Sequence, residues 1–217
     1  MTSVSAHEAL QLLREGNQRF VNNASTHKND ENRMHPSELA NGQEPFAVIL
    51  GCSDSRVPVE IIFDQGLGDL FVIRVAGNIV APSQVGSVEF AADRFHTRLV
   101  VVLGHSSCGA IEATIEQLQQ PAELQSRNLQ SIVDRIRPGV ESLLLTELKH
   151  QPEALLMHAV RANIRASTSH LRHGSPVIEQ LIETNGLLVV GAEYCLETGI
   201  VTFFDGVPES RQARLSL

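Results

Sequence analysis

A chain of 217 residues can enclose one sizeable core, and its composition asks for no second domain. A formal net charge of −8 argues against nucleic acid or an anionic membrane as partner, because both need a basic surface. Three Cys are too few for a disulfide framework if two serve another purpose, the first 20 residues hold no apolar signal segment, and no stretch has the length of a membrane span. These features predict a single domain over residues 1–217 in the reducing cytoplasm.

Ser5 and Glu8 have capping-box spacing, and Ala6, Ala9, Leu10 and Leu13 follow at helical intervals, which predicts an amphipathic helix through Phe20. Residues 22–43 are polar and aperiodic, so they read as a loop or extended arm. Five apolar, β-branched runs come next, at 46–50, 70–75, 99–103, 187–190 and 200–204. The first four are continuous rather than alternating, as in strands covered on both faces. Val88, Ala91, Ala92 and Phe95 trace a helical stripe between the second and third runs. Further helical patterns cover 111–119, 129–136 and the positions Leu156, Val160 and Ile164, and a last helix runs from Ser175-Pro176 to Asn185-Gly186. Alternating strands and helices predict an α/β fold with a mainly parallel central sheet, about four parallel strands plus one antiparallel edge strand, flanked by helices.

The chemistry concentrates in two stretches, Cys52-Ser53-Asp54-Ser55-Arg56 after the first run and His105-Ser106-Ser107-Cys108 after the third. In open α/β sheets ligands gather beyond the carboxyl ends of the strands, so both stretches can meet at one edge. Cys52, His105 and Cys108 would offer two thiolates and one imidazole, ligands that suit a tetrahedral zinc with a fourth position open for catalysis. A lone Cys or His at a strand end is more often a packed residue, and Asp-x-Arg alone is usually a surface pair. Their joint placement after two matching runs favours the metal. Zinc makes hydroxide available near neutral pH. Arg56 would hold Asp54 ionised, leaving one carboxylate oxygen to accept the hydroxide's hydrogen and turn its lone pair to the substrate. Alternatively, Asp54 can close the fourth position by swinging onto the metal. The third thiol, Cys195, reads as a buried small residue, and His96, His170 and His173 as solvated or at helix ends.

Gly51-Cys52-Ser53-Asp54-Ser55-Arg56-Val57-Pro58 and Gly104-His105-Ser106-Ser107-Cys108-Gly109 resemble the two zinc motifs of the β-class carbonic anhydrases, in order and separation. Supporting matches are Gly16, Asn17, Arg19 and Phe20, then Gly68 to Val72, Arg74, and Gly77-Asn78. The resemblance implies one zinc ion (Zn2+) per chain on Cys52, His105 and Cys108, and reversible hydration of carbon dioxide to bicarbonate. It also implies a dimer, which can pair into a tetramer, with the site at the subunit interface and segment 1–43 packing on the neighbour. Gln43 resembles the family glutamine that reaches the substrate oxygen. Phe71 and Phe90 match apolar pocket positions, and Gly109 lies beside the substrate.

Family members with a bicarbonate regulatory site carry Trp three residues before the first zinc Cys, where this chain has Ile49. Arg74 and Tyr194 resemble the other two residues of that site, so the regulatory site is expected to be missing. The family fold also hydrolyses carbon disulfide or carbonyl sulfide with the same ligands. A further alternative is a non-catalytic scaffold whose zinc is closed by Asp54, but that leaves Arg56 and Gln43 without a task.

Overall fold

The computed structural model describes residues 4–26, 40, 42–120 and 126–208. Its single sheet contains β1 (Ala47–Gly51), β2 (Leu70–Arg74), β3 (Leu99–His105), β4 (Leu188–Tyr194) and β5 (Val201–Asp205) in the order β2-β1-β3-β4-β5. The first four strands are parallel and β5 runs antiparallel on β4, the architecture expected from the sequence.

Side chains alternate between two cores, as the pleat requires. Val48, Leu50, Val100, Val102 and Val189 face one core. It is covered by α3 (Pro82–Arg94), α4 (Gly109–Gln119), α5 (Arg127–Val140), α6 (Pro152–His173) and α7 (Pro176–Asn185). Ala47, Ile49, Val101, Leu103, Val190 and Ala192 face the other, under α1 (Ala6–Val21) and the single turn α2 (Val59–Ile62). Wholly buried side chains such as Leu13, Ile49, Leu50 and Leu103 each contribute about 1.5–3 kcal/mol by leaving water.

The strands depart from the apolar runs in extent and in burial. β3 and β4 continue past them because the parallel ladder pairs Gly104 with Glu193 and His105 with Tyr194, and backbone pairing does not require apolar side chains. His105 is therefore the last residue of β3 and not the first residue after it. β2 is an edge strand and is covered less completely than the others: Leu70 and Ile73 are buried in the two cores, but Phe71 and Val72 are half-buried and Arg74 is exposed. Two 3-10 segments, Glu141–Leu145 and Glu147–His150, join α5 to α6 where the sequence offers no period to read.

The first helix opens with the Ser5 hydroxyl accepting the Glu8 N–H at 3.3 Å. Its apolar stripe docks on its own chain, with Ala9 and Leu13 fully buried. Gly16 lies so close to α2 that a Cβ there would sit 1.8 Å from the Phe63 carbonyl oxygen. Asn17 then donates to the carbonyls of Ile62 (3.2 Å) and Gly199 (2.9 Å) and accepts the Val201 N–H (2.8 Å). One side chain thus ties the helix to the α2 turn and to β5. Arg19 Nε donates to Asp64 Oδ2 at 2.6 Å, and Asp64 also accepts from Ser25 Oγ and from Thr26 N and Oγ1. The inner stripe of α1 is consumed within the chain, leaving the outer face and the arm, of which residues 27–39 and 41 lie outside the described ones.

Candidate metal centre

Strand register builds the site. Gly51 of β1 faces Leu103 of β3, so Cys52 emerges beside the end of β3 where His105 stands. Two turn residues, Ser106 and Ser107, lead to Cys108, which opens α4. Ser107 adopts φ 54°, and the turn is pinned to β4 by the Ser106 N–H on the Tyr194 carbonyl (3.0 Å) and the Leu196 N–H on Ser106 Oγ (3.0 Å).

Among the described residues, Cys52, His105 and Cys108 form a buried group whose donor atoms lie within 4.8 Å of one another. The two sulfurs are 3.9 Å apart. Two thiolates at ~2.3 Å from one tetrahedral zinc would be separated by ~3.8 Å, so the pair fits that ion. His105 Nδ1 lies 2.9 Å from the Ser106 carbonyl oxygen, which can only accept, so Nδ1 carries the proton. That leaves the lone pair on Nε2, which is buried and has no hydrogen-bond partner. An orphaned imidazole nitrogen beside two sulfurs is what a soft or borderline cation would satisfy.

The two thiols perturb one another strongly. Hydrogen bonding from Cys108 pulls the Cys52 thiol well below its ordinary value, and the same contact pushes Cys108 up, because the pair holds one proton more readily than none. Backbone N–H groups of Ile111 and Ala110, at the start of α4, favour the Cys108 thiolate, and that of Gly77 favours Cys52, to which it donates at 3.4 Å.

Asp54 stands beside this group. Arg56 Nε donates to its Oδ1 at 2.9 Å and Nη2 to its Oδ2 at 2.7 Å, while the Arg56 backbone N–H also reaches Oδ1 at 2.9 Å. The guanidinium, outweighing partial burial, holds the carboxyl well below the usual carboxylate range. Oδ2 lies 3.8 Å from His105 Nε2, at the rim of the donor group. Arg74, at the end of β2, donates from Nε to the Cys52 carbonyl (3.1 Å) and from Nη2 to the Asp54 carbonyl (2.5 Å), clamping the loop from the next strand.

The remaining residues singled out from the sequence fall elsewhere. Gln43 is exposed ahead of β1, at the opposite end of that strand from Cys52. Phe71 pairs in register with Val48, four residues before Cys52, and packs on Phe90 and Phe95 with centroids 6.2 and 6.0 Å away. Phe90 is 54% exposed. Gly109 is exposed at the first position of α4, next to Cys108. Ile49 is wholly buried in the face under α1, and Tyr194 ends β4 opposite His105. Cys195 departs from the buried position expected of it. It is half-buried because it begins the turn between β4 and β5, where hydrogen bonding from Thr198 lowers the pKa of its thiol. His96, His170 and His173 are exposed. Sequence reasoning missed the tasks of Arg74 and of the Gly77 N–H, since both act across strands with no local pattern to mark them.

A mostly parallel sheet that gathers two thiols, one imidazole and an arginine-held carboxylate at its strand ends defines an α/β protein built around a candidate metal site. Residues 47–201 match the family model described as carbonic anhydrase. Carbonic anhydrase 2 of Mycobacterium tuberculosis is 36% identical over 207 residues, covering 95% of this chain and 97% of that protein. A carbonic anhydrase of Mycolicibacterium smegmatis is 36% identical over 193 residues, covering 89% and 90%. Among solved structures, the β-carbonic anhydrase CafA of Aspergillus fumigatus superposes with a TM-score of 0.71 at 27% identity, covering 83% of this chain and 86% of that one. The β-carbonic anhydrase CcaA gives a TM-score of 0.68 at 30% identity, covering 91% and 95%. The chain belongs to the β-carbonic anhydrases and is an enzyme of that family.

Proposed function

We propose that this chain hydrates carbon dioxide reversibly to bicarbonate and a proton, using one zinc ion held by Cys52, His105 and Cys108. The observation that carries the reading is the buried donor group, with sulfurs 3.9 Å apart and an unpartnered His105 Nε2. Zinc bound there supplies hydroxide near neutral pH by lowering the pKa of a water. Asp54 stays ionised on Arg56 and uses Oδ2 to accept a hydrogen bond from the attacking group, fixing the direction of its lone pair. The Asp54–Arg56 pair is open to solvent on the arginine side, where screening leaves it little weight in stability, and we assign its value to orientation.

Two features support a site completed by a second copy of the chain. The five residues of β1 span about 16 Å, so Gln43 cannot reach its own Cys52 cluster. Phe71 is likewise about 13 Å along the sheet from Cys52, on the edge strand where Phe90 is exposed. We assign Gln43, Phe71 and Phe90 to the neighbouring subunit's site, and Gly109 to the substrate side of its own. Dimers, or dimers paired into tetramers, are the assemblies this predicts. Arg74 is engaged by the loop carbonyls and Ile49 offers no donor, which supports an enzyme without bicarbonate regulation.

No helix of the described residues is long and apolar enough to cross a membrane. We place the enzyme in the cytoplasm, where its thiols stay reduced. The relatives bear the name carbonic anhydrase, which leaves hydrolysis of carbon disulfide or carbonyl sulfide without support of its own. Stopped-flow hydration of carbon dioxide by the zinc-loaded protein tests the proposal, with chelated protein and sulfide release from carbonyl sulfide as controls. Hydration lost with the metal and restored by zinc is the expected result; sulfide release without hydration overturns it.

A further inference from the structure

We propose that Asn163 is a positioning residue for the metal centre, acting through Gly77 on the Cys52 sulfur. This rests on the zinc reading above and adds a residue to it. The Gly77 N–H donates to Cys52 Sγ at 3.4 Å in a buried setting. Gly77 has φ 68° and the next residue, Asn78, φ 42°, so two successive residues hold left-handed backbone in the turn after β2. A glycine can rotate out of that conformation at little steric cost, and its N–H would then leave the sulfur. Something must hold the turn.

Helix α6 supplies the grip. Asn163 Nδ2 donates to the Gly77 carbonyl at 2.8 Å, and Ser167, one helical turn further on, donates from Oγ to the Asn78 carbonyl at 3.1 Å. Both side chains are buried, Asn163 being 1% exposed. Two polar side chains in a buried helix face are costly unless satisfied, and both are spent on this one turn. The turn is also closed from below, because a Cβ on Gly77 would lie 2.9 Å from Ile136 Cδ1 and 3.2 Å from Ala110 Cβ. Packing therefore admits only glycine, and the amide of Asn163 fixes how that glycine is turned. The N–H so aimed fixes the direction of the Cys52 sulfur among the other donors, the task that outer partners perform for a bound metal.

The test uses full-length Asn163→Asp, which keeps the size of the side chain but removes its N–H donor. Zinc affinity by chelator competition and the thiolate-to-metal charge-transfer band of the cadmium-loaded protein are compared with wild type. We expect zinc to bind about 10-fold more weakly and the band to shift. Ser167→Ala, which frees the adjacent carbonyl, should move both readouts the same way by less, and it decides the matter if Asn163→Asp does not fold. Unchanged affinity and band, with only a lower melting temperature, would make Asn163 a packing residue and overturn the proposal. Absence of any thiolate band in the wild-type cadmium protein would instead overturn the zinc reading on which it stands.

Discussion

Asp54 and Arg56 face each other as a two-pronged pair, Nε on Oδ1 at 2.9 Å and Nη2 on Oδ2 at 2.7 Å, while Oδ2 remains 3.8 Å from His105 Nε2. The carboxylate is thus committed to the arginine and at the same time adjacent to the donor group. That pairing is what the proposed open site requires of Asp54.

Removing the guanidinium should separate binding from turnover. Arg56→Ala leaves Cys52, His105 and Cys108 untouched and is expected to retain zinc, yet to lose at least about 100-fold in hydration rate, the scale of a misplaced acid–base group. Arg56→Lys should recover only part of this, because an ammonium cannot present two parallel N–H groups. Metal content and kcat measured on the same preparations check the split; full activity in Arg56→Ala would contradict it.

A shared site predicts complementation. Cys108→Ser should lose zinc and activity together, since an alcohol is a poorer ligand than a thiolate, while Gln43→Ala should keep zinc and lose activity. Mixed and reassociated, the two variants form hybrids in which the Cys52 cluster of one chain meets Gln43 of the other. Activity above the sum of the separate variants is expected. A mixture no better than that sum, in dimers shown to exchange, would place Gln43 outside the site.

The fold has its own acid-sensitive anchor. Against the opposing effect of burial, hydrogen bonds from Ser25, Arg19 and Thr26 hold Asp64 well below the usual carboxylate range. A group whose folded pKa is depressed stabilises fully above its unfolded value of ~3.9 and loses that contribution as pH falls towards the folded value. Asp64→Asn should therefore cost about 2 kcal/mol at pH ~7, and the gap from wild type should narrow below pH ~4. Urea unfolding at both pH values measures it; a gap independent of pH would assign the loss to packing.

The strands and the meeting of the two motifs are legible in the sequence because both rest on local pattern. The apolar runs mark β1 and β3, and parallel pairing of neighbours brings Cys52 and His105 to the same edge. Resemblance adds Gly16, Asn17 and Arg19, for which the structure supplies reasons: a close backbone approach, a three-way amide hub and an anchor on Asp64. What cannot be read locally is the support around the site. The grip of Arg74 on the Cys52 and Asp54 carbonyls and that of Asn163 on Gly77 join residues far apart in the chain, and neither alters any period or spacing. The edge position of β2 is hidden for the same reason: an edge strand and a central one differ in their neighbours, and Phe71-Val72-Ile73 reads alike in either.

The most direct test of the account is a crystal structure of the zinc-loaded protein grown near pH ~7.5, with zinc located by its anomalous signal. Zinc is expected on the Cys52 and Cys108 sulfurs at ~2.3 Å and on His105 Nε2 at ~2.0–2.1 Å, with Asp54 still paired to Arg56. An Asp54 oxygen at ~2.0–2.2 Å from zinc, with the Arg56 pair broken, would contradict it.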